Sequence, residues 1–124
     1  PFLGLRDNPW TTNFFGEADD ANACVLRYRD GGEGFGFFPE EDEVSACSVP
    51  RSEVYSPVDP AATILAAYPQ AVAVDTANWF CTAASCPPII GNIPVYRDQN
   101  HISNAYSRST RDLLWEHLGP VLGR

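Results

Sequence analysis

The 124-residue chain contains no methionine, and no apolar run approaches the roughly 18–20 residues that a membrane-spanning helix needs. It shows no signal-peptide pattern either. Basic residues are few: 8 Lys+Arg stand against 16 Asp+Glu, a net charge of −8. That balance excludes nucleic acid, which demands a basic footprint, and direct binding to anionic lipid. Histidines number only 2, His101 and His117. The glycine-rich stretch Gly31-Gly32-Glu33-Gly34-Phe35-Gly36 neither follows a strand nor opens a helix, so it is a loop and not a dinucleotide site. The acid run Glu40-Glu41-Asp42-Glu43 lacks the alternating ligands of a calcium loop and reads as a solvated loop. No cofactor motif remains. A chain that starts at Pro1 without methionine is expected to be a processed, cleaved or partly ordered piece of a longer protein. Residues 1–5 read like the end of a buried strand, so the missing piece is expected to belong to the same sheet.

What is present is globular: 44% hydrophobic, 19% charged and long enough for one domain. Pro 11 and Gly 9 indicate many turns. Four cysteines, Cys24, Cys47, Cys81 and Cys86, allow three pairings. Cys81 and Cys86 flank Thr-Ala-Ala-Ser, which a tight loop closes, and this leaves Cys24 with Cys47. Zinc sites usually need two short ligand pairs, and only one is short here. Disulfides, read here against the alternatives of free thiols and zinc, place the chain in an oxidising compartment: periplasm, cell wall or outside.

Along the chain, residues 2–5 form a strand and Arg6-Asp7-Asn8-Pro9 a turn. Residues 10–23 are mixed, and residues 23–29 a short strand or helical turn. Asp59 is a natural N-cap and Pro60 a natural first residue for a helix over 59–68, ended by Pro69. Residues 71–75 form a buried strand. A stapled loop follows, in which Trp79 and Phe80 are core. Residues 89–96 give one or two short strands around a Gly91-Asn92 turn, with Tyr96 packing. A last helix over 103–118 is stopped by Gly119-Pro120. Strand, helix, strand, loop, helix predicts α/β with a parallel sheet.

One segment carries chemistry. Arg97-Asp98-Gln99-Asn100-His101-Ile102-Ser103 follows strand residues and precedes a helix, where open α/β sheets place ligands. An acid three residues before a histidine on such a turn can place its carboxylate on the ring Nδ1–H and leave Nε2 outward as a base, although D-x-x-H alone is a weak signal. Ser103 then caps the helix that follows. His117, within that helix, is expected to interact with its C-terminal end. Asp98 and His101 are therefore the candidate catalytic acid and base.

The run from Tyr96 through Ser103, with Tyr106, resembles the Y-x-D-x-x-H-L-(S/T)-x-x-Y block that closes the SGNH hydrolase domain fused to bacterial acyltransferase-3 membrane proteins. Ile102 stands where that family usually has Leu. Arg6-Asp7-Asn8-Pro9 resembles its R-D-(T/N)-P turn, and Cys47-Ser48-Val49-Pro50-Arg51 its cysteine–arginine segment. Val74-Asp75, Trp79-Phe80-Cys81 and Cys86-Pro87-Pro88 resemble its stapled loop. The blocks occur in the family's order across nearly the whole chain. The family's G-D-S nucleophile block and its oxyanion Gly and Asn blocks are absent, and Gly91-Asn92 comes too late to serve.

The resemblance implies that residues 1–124 are the C-terminal half of one SGNH, flavodoxin-like three-layer α/β/α domain. Its expected partners are the N-terminal half that supplies the serine, a transmembrane acyltransferase domain, and a glycan or glycolipid acceptor. It implies an extracytoplasmic domain tethered to the plasma membrane that transfers short acyl groups to cell-envelope glycans or hydrolyses esters. Arg6 and Arg51 are candidate substrate contacts, against the plainer readings of an Arg6–Asp7 turn pair and a solvated Arg51. The alternatives are a non-catalytic glycan-binding or accessory domain and a persisting fragment without function.

Overall fold

The computed structural model describes residues 2–16, 20–31 and 41–124. Pro1, Glu17, Asp19, Glu40 and the predicted loop from Gly32 to Gly36 lie outside them. Strand β1 (Phe2–Leu5) pairs in parallel with β3 (Ala71–Val74), Phe2 opposite Ala71 and Leu5 opposite Val74. Between them come α1 (Ala21–Gly31), α2 (Glu41–Ala46), β2 (Val49–Pro50), α3 (Arg51–Val54) and α4 (Pro60–Leu65). After β3 come α5 (Ala77–Phe80), β4 (Ser85–Cys86), β5 (Ile89–Ile90), β6 (Ile93–Pro94), α6 (Asn104–Ser109) and α7 (Arg111–Val121). This is an α/β fold with a parallel strand pair, two short antiparallel pairs (β2–β4 and β5–β6) and two disulfides.

Local chemistry sets these elements. Asp59 accepts the Ala61 N–H at 3.0 Å, and Pro60 occupies the first turn, so α4 starts where its orphan donors are covered. Leu65 of α4 lies over Gly4 so closely that a Cβ there would sit 2.5 Å from its Cδ1; glycine lets helix and strand approach. Gly91 and Asn92 both have positive φ, 57° and 62°, the two-residue hairpin turn whose twist matches its strands. Both expected disulfides are present: Cys24–Cys47 ties α1 to the end of α2, and Cys81–Cys86 closes the loop after α5. Within that loop the Thr82 hydroxyl accepts the Ala84 and Ser85 N–H groups.

Several elements differ from the sequence reading. Residues 21–31 are a full helix, started by the Asp20 carboxylate accepting the Ala23 N–H at 2.8 Å. Residues 41–43 of the acid run begin helix α2 and are not loop. The last helix is two. Thr110 (ψ 0°) separates α6 from α7. There the Ser109 and Thr110 hydroxyls donate back to the Tyr106 and Ser107 carbonyls, offering the backbone an alternative to a continuous helix. Nor does Gly119-Pro120 stop α7. The helix ends at Gly123, with φ 71°, where Gly123 N donates to Pro120 O and Arg124 N to Gly119 O in a Schellman closure.

The core lies around the stapled loop, not under the parallel strands. Phe80, Cys81, Cys86, Val95, Tyr96 and Tyr106 are buried together, with Trp79, Ile90 and Ile102 packed against them. The expectation of a wholly buried strand at 71–75 fails: only Val74 is buried, and Val72, Ala73 and Asp75 are exposed. Phe2 is 68% and Leu5 50% exposed. Apolar parallel strands of this kind are ordinarily covered on both faces, and two strands alone leave theirs bare.

Candidate active site

The segment 97–101 is pinched into a loop by its own backbone. Tyr96 bridges Ile102, Arg97 N donates to His101 O at 2.8 Å, and Ser103 N donates to Val95 O at 2.7 Å. Ser103 accepts the Tyr106 N–H at 3.0 Å, capping α6 as expected, and its hydroxyl donates to Pro94 O. His101 is therefore fixed between a bridge and a capped helix.

Inside the loop, Asp98 Oδ1 accepts the backbone N–H of His101 at 2.9 Å and of Asn100 at 3.2 Å. The ring Nδ1 of His101 lies 2.9 Å from Oδ1 and 3.0 Å from Oδ2. The backbone N–H of His101 is the main cause holding the Asp98 carboxyl down at about 2, with the Asn100 N–H and the ring adding to it. An ionised carboxylate only accepts, so Nδ1 carries the proton and Nε2 the lone pair. Among the described residues Nε2 has no hydrogen-bond partner, and the His101 side chain is 62% exposed. Arg97 Nε sits 3.6 Å from Asp98 Oδ2 at the surface, a weak contact. The pair offers a base with a fixed tautomer and an imidazolium stabilised by a neighbouring anion.

The loop is also clamped from outside, by residues the sequence reading did not single out for this. Asn8 donates its amide to Asn100 O at 2.6 Å. Thr11 donates to Gln99 O from its backbone at 2.8 Å and from its hydroxyl at 3.1 Å. Asn22 donates to Arg97 O at 2.9 Å. Asn8 belongs to the R-D-N-P turn; nothing local to it signals a partner 92 residues away.

Arg6 and Arg51 do not reach this loop. Arg6 is 7% exposed, donates to Asp75 Oδ2 at 3.0 Å and to the Ser56 carbonyl, and lies 4.6 Å from the Tyr55 ring centroid. Its carboxylate partner is Asp75, not the adjacent Asp7. Arg51 donates to Asn78 Oδ1 at 2.8 Å and Thr82 O at 3.0 Å, and faces the same ring at 5.9 Å. Two motif segments thus meet on Tyr55, whose hydroxyl donates to Asp7 O at 2.8 Å. Burial pushes the Tyr55 phenol up. Trp79 is half-buried and Phe80 buried beside the disulfide. Tyr96 is buried, and its hydroxyl has no hydrogen-bond partner among the described residues. His117 stands with its ring 6.2 Å from that of Trp79 and takes no part in the loop.

Two clefts flank the R-D-N-P turn at the carboxyl ends of β1 and β3, where a parallel sheet presents ligand sites. One, of about 360 Å³, is lined by Leu5, Thr76, Trp79, Ile102, Thr110 and Leu114. The other, of about 260 Å³, lies toward Trp10 and Tyr55.

The α/β frame with its parallel strand pair carries the Asp98–His101 pair on the loop before its closing helices. The family model of the SGNH domain fused to AT3 domains matches residues 3–116, and the chain belongs to that family. Neither the curated proteins nor the solved structures gave a match.

Proposed function

We propose that this chain is the acid–base part of an SGNH acyltransferase or esterase, with His101 as general base, Asp98 as its orienting acid, and the serine on a segment that completes the domain. One observation carries the reading: both Asp98 oxygens lie within 3.0 Å of Nδ1, which leaves Nε2 unpartnered and outward. One other supports it: the β1–β3 pair leaves Phe2, Leu5 and Val72 exposed where further strands and helices would cover them.

In this mechanism the serine Oγ attacks the carbonyl carbon of an acyl donor while Nε2 takes the hydroxyl proton. The donor's C–O bond breaks, and the imidazolium returns that proton to the departing oxygen. An acceptor hydroxyl then attacks the acyl-serine, giving its proton to Nε2, and serine leaves with a proton from the same ring. With a glycan hydroxyl as acceptor this is O-acyl transfer; with water it is ester hydrolysis. The acyl group is short and the acceptor a cell-envelope glycan or glycolipid, on the extracytoplasmic side and beside a transmembrane acyltransferase domain.

The test is hydrolysis of p-nitrophenyl acetate by the serine-bearing protein and its His101→Ala variant. Base loss should lower kcat by roughly 10²–10⁴-fold with the fold intact by circular dichroism. Equal rates would end the catalytic reading in favour of a binding domain.

A further inference from the structure

Trp10 faces outward from an anchored stretch of backbone. Its neighbours Pro9 and Thr11 have fully buried side chains, and Thr11 is bound to Gln99 O through both its backbone and its hydroxyl. The indole between them is 56% exposed, and its N–H has no hydrogen-bond partner among the described residues. A large exposed aromatic on anchored backbone offers its apolar face as a platform.

The platform borders the cleft of about 260 Å³, whose other walls include Tyr55, Asp7, Asn8 and Asp59. That is below the ~300–1,000 Å³ of sites that engulf drug-sized ligands, and suits a single ring. Its hydroxyl donors are engaged, Tyr55 on Asp7 O and Ser56 on Val58 O, and the polar groups left open are acceptors. Asp7 is exposed, with one carboxylate oxygen taking the Asn8 N–H at 2.9 Å. Asn8 turns its amide nitrogen to Asn100 O, and its side-chain oxygen has no partner among the described residues. The one cation at the cleft, Arg6, is engaged by Asp75, Ser56 and Tyr55. An aromatic face beside hydroxyl-accepting oxygens, with no available cation, selects a neutral polyhydroxylated ring and disfavours an anionic one.

We infer that the Trp10–Asp7–Asn8 cleft is a subsite for one neutral pyranose ring of a glycan. The ring's C–H face lies on the indole, and its hydroxyls donate to Asp7 and Asn8. Asn8 and Thr11 also bind the carbonyls of Asn100 and Gln99, so a sugar seated here lies beside the Asp98–His101 loop. Its assignment as the acyl acceptor rests on the reading above.

The experiment is isothermal titration calorimetry with chitotriose, with glucuronic acid as the anionic comparison. The wild-type protein should give a saturable change with chitotriose and a response to glucuronic acid at least about fivefold weaker. Trp10→Ala should weaken chitotriose binding by about tenfold or more with unchanged circular dichroism, and Asp7→Ala by several-fold. His101→Ala should bind chitotriose like the wild type, which separates this subsite from the chemistry. No saturable signal in the wild type, or equal affinity in Trp10→Ala, would overturn the subsite.

Discussion

Arg6 allows a sharp test, because its burial and partners make it a strut where a surface arginine at a turn would be a candidate ligand contact. The perturbation is Arg6→Leu, which keeps the apolar stem and removes the guanidinium. A hydrogen bond to a charged group contributes about 1.5–3 kcal/mol. The bond to Asp75 belongs at the bottom of that range or below, about 1 kcal/mol, since the Asp75 side chain is 55% exposed and screened. The bond to the Ser56 carbonyl contributes about 1.5 kcal/mol. The contact with Tyr55, with its centroid 4.6 Å away, adds about 1 kcal/mol. The sum, roughly 3–4 kcal/mol, is a large share of the ~5–15 kcal/mol that holds a domain together. At about 4 °C per kcal/mol for this size, Tm should fall by about 12–16 °C. Arg6→Lys should lose about half as much, because one ammonium does not span Asp75 and the Ser56 carbonyl as the planar fork does. Thermal melts by circular dichroism read all three proteins. If Arg6→Leu melts within about 3 °C of the wild type while esterase activity disappears, the strut argument is wrong and Arg6 serves the substrate.

Two further outcomes follow from the site and the staples. The Asp98 carboxyl is lowered from its ordinary 3.8 to about 2, so its contribution to stability is present above pH ~4 and is lost as pH falls toward 2. The urea midpoint of Asp98→Asn should therefore lie below that of the wild type at pH 5, with the gap closing by pH 2; a gap that is constant with pH would refute this. For the disulfides, loop entropy scales with the residues enclosed. Replacing the Cys24–Cys47 pair (separation 23) with serines should cost roughly 3 kcal/mol, and the Cys81–Cys86 pair (separation 5) roughly 2 kcal/mol, read from urea titrations.

Features governed by a few adjacent residues were legible in the sequence. The Asp59-Pro60 start of α4, the Gly91-Asn92 turn, the Ser103 cap and the Asp98–His101 contact each depend on partners at most three residues apart. The pairing of the cysteines followed from one short spacing. What escaped depends on distance or on a balance between similar states. Arg6 finds Asp75 69 residues on, and Asn8 finds Asn100 92 residues on; neither turn announces its partner. The break at Thr110 arises because two hydroxyls turn back on the backbone, which apolar spacing does not register. Pro120 lies inside α7, and the helix ends only after it, where Gly123 adopts the left-handed conformation. The strand at 71–75 has the sequence of an interior parallel strand, and its exposure reflects how few strands lie beside it.

The hydrogen bonds that hold the histidine against its acid all close within the span from Pro94 to Tyr106. Contacts of such low sequence separation form early in folding, before the long-range strand pair that joins residues 2–5 to 71–74 has met its loop-closure cost. The dyad is in this sense a cartridge, assembled by its own segment and then locked by Asn8, Thr11 and Asn22. Its geometry needs no nucleophile in place to form, so a polypeptide bringing the serine would meet a base already aimed.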